Sequence, residues 1–153
     1  MKNQKQLAKA IEIATTTHSG QFDKGGKPYI LHPLHLMTQL MFDVELAIIA
    51  VLHDVIEDSN GKVTLNSLKD EGFSDRVLIA LDLLTHKKND DYITVYIQNI
   101  SKNYDAIRVK RKDLEHNSDI TRLKGLRPKD IERIAKYYEA FTLLGQAKET
   151  FEC

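Results

Sequence analysis

The sequence predicts an all-α fold, on three observations. Apolar residues recur at helical spacing almost throughout the chain, capping residues and short polar links separate the periodic stretches, and the irregular chemistry gathers in one segment holding glycines and two of the three prolines. Length agrees with one compact domain over 1–153. A chain of this size buries most of its apolar surface without disulfides, and no linker or repeat divides it.

Taken in order, Leu7, Ala10, Ile11 and Ala14 mark one face of a first helix, which loosens at Ser19-Gly20. "SGQFDKGGKPYILHP" (19–33) follows as a loop, with a brief extended piece expected at 29–31. Pro33 suits the first position of a second helix reaching about Met41, and Asp43 caps a third that runs through Asp58 and is closed by Gly61. Further helices are expected at about 64–70, 74–84, 90–101, 105–116 and 128–144.

Composition excludes several classes of function. With 22 basic and 22 acidic residues the chain has no global field to gather nucleic acid or an anionic membrane, so any anion site must be local. The single cysteine, Cys153, rules out an internal disulfide framework or a Cys-based zinc site and fits a reducing compartment. With no leader-like start and no apolar run of membrane-spanning length, the expectation is a cytoplasmic protein without a nucleic-acid or membrane partner.

One stretch departs from this plain picture. "VELAIIAVLHDVIED" is apolar on nearly every side and then places His53, Asp54, Glu57 and Asp58 at one end, paired at i and i+4. Three carboxylates there face the negative pole of the helix dipole, and burial disfavours their charge further. A bound cation reverses that balance. His32, held in "PYILHP", and Asp113, which shares a helix face with Asn117 in "IRVKRKDLEHNSD", complete two nitrogens and two oxygens around one ion. His32, His53, Asp54 and Asp113 form a mixed set that suits manganese, iron or zinc better than calcium or magnesium. Glu57 and Asp58, one turn beyond, are placed to hold or deprotonate a water, which makes the site hydrolytic. Lys24, Lys27, Lys110, Arg111, Lys112 and Arg122 lie close to these residues in sequence, as phosphate-bearing substrates require.

"HSGQFDKGGKPYILHP", "LHDVIEDS" and "VKRKDLEHNSD" stand in the order and spacing of a known family, and the chain resembles the metal-dependent hydrolase domain of RelA/SpoT proteins, within the HD phosphohydrolase superfamily. The likeness runs from about Leu7 to Leu144, leaving no length for a synthetase or regulatory domain, as in stand-alone small alarmone hydrolases. It implies an HD-domain helix bundle binding Mn²⁺, or another divalent transition metal, through His32, His53, Asp54 and Asp113. Glu57 and Asp58 would serve the attacking water, Asn117 would contact the nucleoside, and Lys24 belongs to the substrate-binding segment. The implied reaction removes pyrophosphate from the 3′ position of guanosine 3′-pyrophosphate 5′-di- or triphosphate. One departure stands out: where the family commonly carries Arg-Lys, with the Arg flanking guanine, this chain has Asp23-Lys24. The alternatives are an HD phosphohydrolase acting on another nucleotide or phosphoester, and a non-catalytic nucleotide-sensing module, against which the intact Glu57-Asp58 pair argues.

Overall fold

The apolar stripe Leu7, Ala10 and Ala14 becomes the buried face of α1 (Lys2–Thr17), which packs on a helix with almost no polar side at all. That helix, α3 (Val44–Leu52), is buried at every position from Leu46 to Leu52 in the computed structural model, which describes residues 1–153. Each Leu or Ile sealed there contributes roughly 1.5–3 kcal/mol, so α3 is the axis around which α1, α2 (Leu31–Gln39), α6 (Asp75–Leu84) and α8 (Tyr104–Asn117) assemble. Between these run the short α4 (Val55–Asp58), α5 (Leu65–Asp70) and α7 (Gln98–Ile100), and α9 (Pro128–Glu152) lies along α8. No strand forms; the only β pairing is an isolated bridge between Phe22 and Pro28.

The caps explain why the helices start where they do. Asp43 accepts a hydrogen bond from Leu46 N–H, Ser74 from Val77 N–H and Asn103 from Ala106 N–H, while Thr64 and Ser67 cap each other reciprocally. Pro128 opens α9, where its missing N–H costs nothing.

Four expectations need correction. The third helix does not run unbroken to Asp58. His53 N–H bonds to Ala50 three residues back, the ring Nδ1–H donates to the same carbonyl at 2.7 Å, and Asp54 sits at φ −107°, ψ −3°. Two donors share one oxygen, the ladder is interrupted at His53 and Asp54, and the chain restarts as α4. The expected extended piece at 29–31 is instead a turn leading straight into α2, which starts at Leu31, so that His32 lies inside the first helical turn. In place of one helix over 90–101, Tyr92–Ile97 is π-helical and only then does α7 follow. Asp91 caps this turn, its carboxylate accepting from Ile93 and Thr94 N–H while its carbonyl accepts from Tyr96 N–H five residues on. Finally, α9 continues to Glu152, well past Leu144, because Tyr137, Phe141 and Ala147 carry its partly buried face onward.

Candidate metal centre and its cavities

Three elements converge on one point. The first turn of α2 supplies His32, the break between α3 and α4 supplies His53 and Asp54, and α8 supplies Asp113. His32 and His53 are 1% and 3% exposed, Asp113 4%. Ligand atoms of His32, His53 and Asp54 all fall within 4.8 Å of one another. Asp113 stands against both imidazoles, its Oδ1 2.8 Å from His32 Nε2 and 3.4 Å from His53 Nε2. The four residues expected as ligands, separated by up to 81 positions, are thus brought together.

The tautomer of His53 decides what this cluster fits. Ala50 carbonyl can only accept, so Nδ1 carries the hydrogen and Nε2 of the neutral ring is a bare lone pair. That nitrogen is buried without a hydrogen-bond partner, 2.9 Å from Asp54 Oδ2 and 3.4 Å from Asp113 Oδ1. A lone pair facing two carboxylates is repulsive until a positive charge enters. With no ion, burial pulls the His53 pKa down, but the charges of Asp54 and Asp113 overcome it and hold the imidazole well above its usual range. A divalent cation can take the place of that proton, and a set of two imidazoles with two carboxylates suits a transition metal. The residues present therefore fit the metal.

Surrounding residues hold the cluster in place, and of these Tyr29 was not foreseen. Tyr29 donates its hydroxyl to Asp54 Oδ2. Lys110, one turn before Asp113 on α8, reaches Asp113 Oδ2 at 2.8 Å, and Asn117 Nδ2 donates to Oδ1 at 2.8 Å. Burial pushes the Asp113 carboxyl up, yet the Lys110 charge outweighs it and keeps the group well below the carboxylate range. The K-x-x-D spacing of Lys110 and Asp113 was the one sequence signal for this pair. His116 is no ligand; it stacks between His32 and His35, and burial beside the Arg122 cation lowers its pKa to about 4.

Glu57 and Asp58 part company. Glu57 faces a cavity of about 240 Å³ that also receives Asp54, Asp113, Asn117 and Lys110. Its Oε1 accepts the backbone N–H of His86, and burial, reinforced by the Asp54 charge, raises its pKa despite that bond. Asp58 opens on the other side of α4, into a hollow bordered by α1, with His18 Nδ1 3.8 Å away. Burial and the Asp54 charge raise its pKa as well.

A second cavity, about 320 Å³, adjoins the first through Tyr29, Asn117 and Tyr137 and is also lined by Phe22, Lys24 and Arg122. Asp23 is found here. It accepts Lys27 N–H at 2.9 Å and ion-pairs with Arg122 at 3.4 Å, while Arg122 donates to His116 carbonyl and Asn117 Oδ1. The acid in the position of the expected arginine thus holds a guanidinium from 99 residues further along the chain. Arg111 and Lys112 belong elsewhere: they line a separate cavity with Phe42 and Lys148, and Arg111 stacks on Phe141.

No protein-family model matches the chain. It is 33% identical over 145 residues to a Borreliella burgdorferi protein named guanosine-3′,5′-bis(diphosphate) 3′-pyrophosphohydrolase, covering 86% of this chain and 21% of that protein. A Haemophilus influenzae protein of the same name is 34% identical over 136 residues, covering 81% and 20%. The chain thus spans about a fifth of the length of these curated relatives. Among solved structures, a metazoan ortholog of SpoT, described as hydrolyzing ppGpp with a role in starvation responses, superimposes with a TM-score of 0.73. That superposition covers 95% of this chain and 92% of the other at 18% identity, a likeness of fold.

Proposed function

As a RelA/SpoT-type hydrolase domain, the chain is, we propose, a metal-dependent hydrolase that removes the 3′-pyrophosphate from guanosine 3′-pyrophosphate 5′-di- or triphosphate. Residues 1–153 act in this reading as one domain. The observation that carries it is the buried His53 Nε2, without a hydrogen-bond partner and set among His32, Asp54 and Asp113 at the edge of a cavity that also holds Glu57. The activity is the one named for the relatives that align over most of the chain.

His32, His53, Asp54 and Asp113 would hold the ion, with Mn²⁺ as the assigned metal. Bound there, a divalent cation supplies positive charge that neutralises phosphate oxygens and acidifies water. The protein does the rest. Tyr29, Lys110 and Asn117 fix the carboxylates, and the Ala50 carbonyl fixes the His53 tautomer. Glu57, its pKa raised by burial, takes the proton from the attacking water. The water oxygen adds to the phosphorus attached to O3′, the P–O3′ bond breaks with its electron pair going to O3′, pyrophosphate leaves, and the ribose oxygen takes a proton from solvent to end as a hydroxyl while Glu57 gives its own back to solvent. Asp58 lies outside that cavity and is assigned to orienting water through the field behind α4. Asn117 and Lys24 line the neighbouring cavity, assigned to the nucleoside.

The test is product analysis with Mn²⁺-loaded protein: pyrophosphate and the 5′-di- or triphosphate should appear in equal amounts from the alarmone. Asp23 favours a second reading, hydrolysis of a different nucleotide or phosphoester, because an acid cannot stack on a base as a guanidinium does. Turnover of another compound in a nucleotide panel, with the alarmone untouched, would select it.

A further inference from the structure

A third cavity, about 450 Å³, continues from the second through Lys24, Leu123 and Arg133 and shares no residue with the first. The three hollows therefore run in series, with the nucleoside cavity in the middle. The outer one is lined by Lys24, Lys124, Arg127, Lys129 and Arg133, with Asp130 as its single acid. Asp130 is already engaged, accepting from Arg127 N–H at 2.9 Å and pairing with Arg133 at 2.9 Å. Lys24, Lys124, Arg127 and Lys129 have no carboxylate partner within ion-pair distance. Two separate pieces of chain create this concentration. The Asp23–Lys27 loop and the segment before α9 meet so closely that a Cβ on Gly26 would lie 2.9 Å from Lys124 Nζ.

Four unpaired cations in one concavity repel one another, and in a chain of zero net charge they are not the residue of general basicity. They match the chemistry of a polyphosphate. Resting on the functional reading above, we propose that this cavity receives the 5′-polyphosphate of the substrate, while its 3′-pyrophosphate lies at the metal centre. A nucleotide phosphorylated at both ends then spans the three hollows, and the outer cations discriminate substrates by the number of 5′ phosphates.

The experiment measures kcat/KM for guanosine 3′-pyrophosphates carrying a 5′-mono-, di- or triphosphate, on the wild type and on a Lys124→Gln/Arg127→Gln/Lys129→Gln variant whose melting temperature is checked. All three side chains are exposed, so their removal opens no core cavity. The wild type should prefer the 5′-triphosphate over the 5′-monophosphate by about tenfold, and the variant should bring that ratio close to one. An unchanged ratio in the variant, or no preference in the wild type, overturns the proposal. So does a variant that keeps the ratio but loses inhibition by added inorganic triphosphate, which would make the cavity a separate effector site. Failure of the functional reading looks different: no pyrophosphate is released from any of the three substrates.

Discussion

Asp54 and Asp113 show how a single residue's position is determined from several sides. Tyr29 reaches one, and Lys110 and Asn117 grip the other. Glu57 and Asp58, neighbours in sequence, look into different hollows because successive side chains on a helical turn point about 100° apart. Glu57→Gln should therefore lower kcat by roughly 10²–10⁴-fold with metal affinity intact, whereas Asp58→Asn should cost about tenfold or less. Steady-state kinetics on the two variants checks this; equal losses would place both carboxylates on the water.

At the scale of elements, junctions carry the function. The break after α3 separates His53 and Asp54 from Glu57 and Asp58 on α4, the π-helical turn at Tyr92–Ile97 brings Tyr92 and Tyr96 to the first cavity, and the Asp23–Lys27 loop joins α8's far end through Arg122. Gly25 permits that last junction. A Cβ there would lie 2.1 Å from the Arg122 carbonyl oxygen, a backbone atom that cannot swing aside. Gly25→Ala should cost about 1–3 kcal/mol and raise KM more than it lowers kcat, since it shifts the nucleoside cavity and leaves the metal cluster alone. Thermal denaturation and kinetics read the two effects separately. In the core, Ile49→Ala, which hollows out the axis helix, should cost about 2–5 kcal/mol in a denaturant titration.

For the whole molecule, two conditions set stability. Metal binding to the folded state alone should raise the melting temperature; at a hundred times Kd the gain is about 2.7 kcal/mol. His53→Ala should abolish that response to Mn²⁺ in a thermal shift experiment, and a response that survives would disqualify the site. Acid acts elsewhere. Arg76 on α6 clasps Asp43, the cap of α3, and Asp105 on α8, binding three helices together. Burial raises the Asp43 carboxyl, but the Arg76 hydrogen bonds and charge prevail, and Arg76 bonding is the main cause that lowers Asp105. Both carboxyls titrate lower in the folded chain, so their stabilisation is complete above the unfolded carboxylate value near 4 and is lost as pH falls through the folded values. Arg76→Gln should flatten the decline of the melting temperature as pH falls below about 4; an unaltered slope would assign the acid response to other groups.

The helical architecture and the polar knot His53, Asp54, Glu57 and Asp58 were legible in the sequence because both rest on local signals. Capping residues and 3.6-residue periodicity act within a few positions, and an acidic knot after the apolar stretch Val44–Leu52 runs against the helix dipole. No local signal marks which way Asp58 faces, that Asp23 holds Arg122, or that Lys24 and Lys124 share a cavity; these depend on contacts between residues about forty to a hundred positions apart. Side-chain types and their helical spacing determined what chemistry the chain holds. Only tertiary packing, by choosing which helix faces meet, decided which of these side chains share a hollow and which, like Glu57 and Asp58, are set apart.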